Sequence, residues 1–132
     1  MGVFLSVDEA HQVLYIRFEG ILTDDVLLRR YEQVREWVAV HGHCSSISDF
    51  SEVTSFNVTS AGVRRLAANS PLVPDEFLRV VVAPQDIVFG MTRMFAIVGS
   101  ETRNRVDVLR TVADAYCLIG VESLALRPVM DW

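Results

Sequence analysis

The densest run of groups able to do chemistry is Ser48-Asp49-Phe50-Ser51-Glu52-Val53-Thr54-Ser55-Phe56-Asn57-Val58-Thr59-Ser60-Ala61-Gly62. It is rich in hydroxyls and carboxylates, and it runs from the end of one β-rich segment into the start of a helical one. Sheets flanked by helices hold their ligands at such places. The free amides of a helix start also accept an anion, including a phosphate on a neighbouring hydroxyl. Ser, Thr, Asp and Asn equally build ordinary loops and caps. A second candidate is the stretch Ile87–Val98, where Ile87, Met91, Met94, Phe95 and Val98 fall on one broad apolar face and Arg93 stands alone. Methionines adapt to irregular guests, and an arginine beside them grips a carboxylate or phosphate. The same stripe also suits a plain core face. Gly90 within it provides either close packing on a sheet or room for a ligand.

Other chemistry finds less support. His41-Gly42-His43-Cys44 offers imidazoles and a thiol, but three donors within four residues do not converge on one tetrahedral ion, and no second cluster completes the set. The group reads as a helix C-terminus with His41 at the negative end of the dipole, so no metal and no cofactor are expected. There is no Gly-x-Ser-x-Gly elbow. Cys117, between Tyr116 and Leu118 in a helical segment, is poorly placed for an activated thiolate. The carboxylate pairs Asp8-Glu9 and Asp24-Asp25 read as solvated surface. An enzyme would have to draw on Asp49, Ser51 or His43, so the expectation is a protein without catalytic residues.

Composition narrows the classes further. A chain of 132 residues is one domain by size, and 51% hydrophobic residues with a mean hydropathy of +0.30 exclude intrinsic disorder. Net charge is −5, which argues against nucleic acid as a partner. All 12 basic residues are arginine, so Schiff-base lysine chemistry and a phosphate-loop lysine are excluded. Cys44 and Cys117 have no framework spacing and read as buried, reduced thiols of a cytoplasmic protein. Neither a secretory leader nor a membrane-spanning stretch is evident. Met1–Ser6 matches an N-acylation pattern, but it reads as a first strand.

The elements that must position these residues follow from pattern. Val3–Val7 and Val13–Phe18 read as a hairpin, broken at Gly20. Thr23 caps a helix Asp24–His41 with acidic residues in its first turn, the stripe Leu27, Tyr31, Val34 and Val38, and Gly42 at its end. A strand near Cys44–Phe50 leads into a polar loop, Ser51–Phe56, and then a helix from Asn57 or Thr59 to before Ser70-Pro71. Leu78–Ala83 is a strand buried on both faces. Helix Ile87–Val98 ends at Gly99, Val106–Leu109 is a strand, and Thr111 caps Val112–Ile119, closed by Gly120. The segment 121–132 has no clear period. The order predicts an α/β fold: one domain over residues 1–120, a mixed and mostly parallel sheet with an antiparallel N-terminal hairpin, about four helices, and a tail packed on the domain or a partner.

Asp49-Phe50-Ser51-Glu52-Val53 followed by Thr59-Ser60-Ala61-Gly62 resembles the signature loop of STAS domains, the anti-sigma-factor antagonist fold. A closer similarity, to the SpoIIAA-like family of that superfamily, covers most of the chain. It is carried by Glu19-Gly20-Ile21-Leu22-Thr23, the Ser48-Asp49-Phe50 strand end, Arg79-Val80-Val81-Val82-Ala83, Phe89–Phe95 and Val106–Leu109 with its final helix. The resemblance implies a non-enzymatic module, with helices mostly to one side of the sheet, that binds a protein or an apolar ligand. STAS switches are phosphorylated on the hydroxyl before the loop glycine. Ala61 holds that place here, which leaves only Thr59 or Ser60 as acceptors.

The expected site is a groove between residues 49–62 and helix 87–98, formed by Asp49, Phe50, Ser51, Phe56, Ser60, Phe89, Met91, Arg93, Met94 and Phe95. It would take an apolar small molecule, a lipid (with peripheral membrane association) or a protein partner. The alternative is a homodimer that covers its apolar tail, Leu124–Trp132, with its own copy.

Overall fold

The computed structural model describes residues 2–42, 44–67, 78–98 and 106–131. Strands β1 (Gly2–Asp8) and β2 (Val13–Thr23) precede helix α1 (Asp24–His41), and strand β3 (Ser45–Asn57) precedes α2 (Ser60–Ala67). Then come β4 (Arg79–Val82), α3 (Asp86–Val98), β5 (Asp107–Leu109), α4 (Val112–Ile119) and β6 (Arg127–Asp131). The sheet order is β5-β4-β3-β2-β1-β6. β2 to β5 run parallel, joined by α1, α2 and α3 as crossovers, while β1 lies antiparallel between β2 and β6. The α/β class, the mixed sheet with its antiparallel hairpin and the four helices are as the sequence predicts.

Both well-capped helices keep their predicted ends. The Thr23 hydroxyl accepts the Val26 amide, and the Gly42 amide donates to the Val38 carbonyl at φ +91°. Thr111 accepts from the Asp114 amide, and Gly120 is left-handed. Strand alternation then builds two apolar layers. Val3, Leu5, Val7, Leu14, Ile16, Phe18, Phe50 and Val81 point to one face, where Val34, Trp37, Val38 and Val88 of α1 and α3 meet them. Val13, Tyr15, Ile47, Val80 and Val82 point to the other, under Ala115 of α4. Val80, Val81 and Val82 are all buried, as a strand covered on both faces requires.

Four expectations are corrected. Gly20 does not break β2. It takes φ +82° beside a register shift, and the strand continues to Thr23. Ser51–Phe56 is strand rather than loop, because β3 pairs along the whole of β2 and absorbs its two additional residues in bulges between Arg17/Glu19 and Gly20/Ile21. Segment 121–132 contains β6, which pairs with β1 across a bulge at Leu5/Ser6, where Pro128 is accommodated at the sheet edge. Cys117 is exposed, two positions from the inward-facing Ala115, whereas Cys44 is buried. The expected helix stops at Ser70-Pro71 and Gly99 lie outside the described residues, as do His43 and Trp132.

Candidate functional site

The helix-covered face of the sheet does not close completely. A crevice of about 180 Å³ lies between the sheet and α1, α2 and α3. Its floor is Leu14, Ile16 and Phe18 of β2, Ser46, Ser48 and Phe50 of β3, and Arg79 and Val81 of β4. These positions share a face because side chains alternate along a strand, and the register sets Leu14 against Ser46, Ser46 against Arg79, and Ser48 against Val81. Phe18 and Phe50 meet as a tilted pair with centroids 4.8 Å apart. From above, α1 supplies Leu27, Arg30, Tyr31, Val34 and Val38, α2 supplies Val63 and Leu66, and α3 supplies Met91, Thr92 and Phe95. Thr92 hides its hydroxyl by donating to the Val88 carbonyl at 2.7 Å, so it contributes an apolar surface.

The polar members of the lining are few. Arg30 is only 6% exposed, and burial together with neighbouring Arg29 lowers its pKa. The Cys44 thiol is pushed up to about 11 by burial, which keeps it neutral. Such a lining offers van der Waals contact over most of its area and positive charge at two places.

Of the residues the sequence pointed to, the structure brings Phe50, Phe56, Met91 and Phe95 together around this crevice. Phe89 and Arg93 lie on another flank of α3, where Arg110 stacks 3.9 Å from the Phe89 ring centroid while donating to the Pro84 carbonyl and Asp86. Arg93 lies 6.0 Å from the same centroid. Met94 is half-buried and outside the lining. The inward stripe of α3 runs through Val88, Met91, Thr92 and Phe95, one position round from the expected one, and it leaves Ile87 62% exposed. An almost wholly apolar helix supports either stripe. Gly90 is exposed and meets nothing within 4 Å of a built Cβ, so close packing does not explain it, and it is not among the residues lining the crevice.

Asp49 faces the opposite side of the sheet. It is buried and accepts the Tyr15 hydroxyl on one oxygen, and the Ser51 amide (2.9 Å) and hydroxyl (2.5 Å) on the other. Burial and that carboxylate drive the Tyr15 phenol far above its ordinary pKa. Both carboxylate oxygens are therefore committed to holding β2, β3 and the first β3 bulge together. Gln85 braces the same bulge, donating to the carbonyls of Phe50 (3.3 Å) and Val53 (3.2 Å).

Ser60 opens α2 and is exposed. Thr59 is held by Asp24, which accepts its amide at 2.9 Å and its hydroxyl at 2.7 Å, while the Gly62 amide donates to the Thr59 hydroxyl at 2.9 Å. These bonds keep the Asp24 carboxyl below its usual range. A phosphate on Thr59 would stand against that carboxylate. Asp8 and His11 pair at 2.9 Å at the hairpin end, and neither lines the crevice. Among the described residues no cluster of three His, Cys, Asp or Glu is arranged to hold a metal, and no helix is long and apolar enough to cross a membrane.

Sequence reading missed Arg30, Arg79, Ser46, Ser48 and the α1 and α2 members of the lining. Arg30 was detectable: it stands between Leu27 and Val34 at i+3 and i+7 of the apolar stripe, where a charge faces inward. Arg79 shares the alternation of Val81 and Ala83.

Compared with protein-family models and with curated proteins, the chain matches none.

Proposed function

We propose that this chain is a non-enzymatic binding module whose ligand is a small apolar molecule seated in the crevice between the sheet and α1–α3. The observation that carries this reading is a half-open crevice of about 180 Å³ between the sheet and α1–α3, lined mostly by apolar side chains. A volume of this size suits a guest of roughly six to ten heavy atoms, comparable to the benzene taken up by apolar cavities of about 150 Å³. The SpoIIAA-like resemblance implies either a protein partner or an apolar ligand, and the second of these agrees with this reading.

Thermal unfolding with and without saturating toluene tests it, together with native mass spectrometry of the purified chain. At 100 times its Kd, a guest that binds only the folded state adds about 2.7 kcal/mol, a rise of several degrees in Tm for a domain of this size. A Tm unmoved by toluene, with no copurifying small molecule, would remove the support for the crevice as a binding site.

A further inference from the structure

Aromatic rings line the crevice from several sides: Phe18 of β2, Tyr31 of α1, Phe50 and Phe56 of β3, and Phe95 of α3. They belong to the floor and to two of the covering helices, so a flat guest meets rings on more than one side. Phe18 and Phe50 stand 4.8 Å apart at 41° to each other. A third ring that stacks, offset, on one of this pair meets the other at a tilt, and rings prefer offset and inclined contacts to a face-to-face sandwich. The Met91 thioether, also in the lining, is a favoured neighbour of an aromatic ring. A saturated guest of equal volume gains contact area alone.

Most polar groups of the lining are already committed. Arg30 and Arg79 make interactions of their own, and the Thr92 hydroxyl donates to the Val88 carbonyl. Ser46 and Ser48 differ. Both line the crevice from β3, and neither hydroxyl makes a hydrogen bond among the described residues. Ser48 precedes Phe50 by one strand repeat on the same face, about 7 Å along the chain. An oxygen held at Ser48 therefore leaves a six-membered ring lying over the Phe18–Phe50 pair. A serine hydroxyl both donates and accepts, which matches a neutral hydroxyl on the guest.

Resting on the crevice as the binding site, we propose that its ligand is a neutral, phenol-type compound, with an aromatic ring among Phe18, Phe50 and Phe95 and a hydroxyl at Ser46 and Ser48. Such a molecule falls within the size that the volume of about 180 Å³ accepts.

Titrations of the full chain with phenol, cyclohexanol and toluene, read by calorimetry and Tm, test the assignment. Phenol and cyclohexanol share a six-carbon frame and a hydroxyl and leave water with similar ease, so comparing them reads the ring. Phenol is expected to bind about tenfold tighter, the effect of one favourable aromatic pair. Equal affinity, or a preference for cyclohexanol, overturns the aromatic ligand while a toluene response keeps the crevice reading standing, and this comparison needs no variant to fold. In the double variant Ser46→Ala, Ser48→Ala, the ratio of phenol affinity to toluene affinity is expected to fall about fivefold, the effect of one hydrogen bond between neutral groups. An unchanged ratio overturns the seat of the hydroxyl. A chain that responds to none of the three compounds overturns both the ligand class and the crevice as a binding site.

Discussion

Asp8 ends β1 with both carboxylate oxygens engaged. One accepts the His11 amide at 3.0 Å, and the other accepts the His11 ring nitrogen at 2.9 Å and the Ala125 amide at 2.9 Å. It is 1% exposed, so this one side chain ties the hairpin turn to the segment leading into β6. The His11 hydrogen bonds, followed by that from Ala125, lower its pKa to about 2. Above the ordinary carboxylate value of about 4 the group is ionised in both folded and unfolded chains, and the native hydrogen bonds contribute in full. Between about pH 4 and pH 2 the unfolded chain takes up a proton that the folded chain refuses, and that contribution is lost. Asp8→Asn is therefore expected to lower Tm at neutral pH, with the gap to the unaltered chain closing between about pH 4 and pH 2. Amides of β6 are expected to exchange faster in the variant at neutral pH. A gap that stays constant down to pH 2 would mean that the carboxylate charge has no part in holding the strand.

At the scale of the helix, two glycines that look alike in the sequence differ in surroundings. A Cβ on Gly90 meets open space, so Gly90→Ala is expected to stabilise the chain by about 1 kcal/mol through helix propensity alone. A Cβ on Gly62 falls 2.2 Å from the Asp24 carboxylate that receives Thr59. Gly62→Ala must turn Asp24 away and break two hydrogen bonds, for a net loss on the order of 1 kcal/mol. Chemical denaturation of the two variants checks the opposite signs, and like signs would contradict this account of α2. The same contrast explains what was legible beforehand. α1 and α4 could be read to the residue because Thr23, Thr111, Gly42 and Gly120 act on their immediate neighbours, and local signals survive in a sequence. The second half of β3 could not, because Ser51–Phe56 owes its extended form to pairing with Glu19–Thr23, some thirty residues away. β6 was hidden for the same reason, its partner being β1 at the other end of the chain. For the site, the aromatic and methionine members were legible by type. Arg79 was not, because arginine reads as surface until the face it occupies is known, and Arg30 was legible only through its place on the apolar stripe of α1.

Across the whole molecule the crevice sets stability against occupancy. Three helices crossing one face of a twisted sheet need side chains long enough to fill the space between them and the strands, and here that space is lined in part by Ser46, Ser48, Val63 and Thr92, all short. Larger residues at those places would close the layer as Ala115 and its neighbours close the other one. Val63→Phe enlarges a side chain that is 4% exposed and already lines the space. If the volume is room kept for a guest, the added ring enters it without displacing backbone, and the chain gains roughly 1 kcal/mol. The gain is expected to come with loss of the Tm response to toluene, because ring and guest compete for one volume. A loss of 1–3 kcal/mol, the usual penalty of overpacking, would show instead that the layer is already full. A gain in stability with the toluene response intact would move the guest elsewhere, so stability and occupancy must be measured on the same variant.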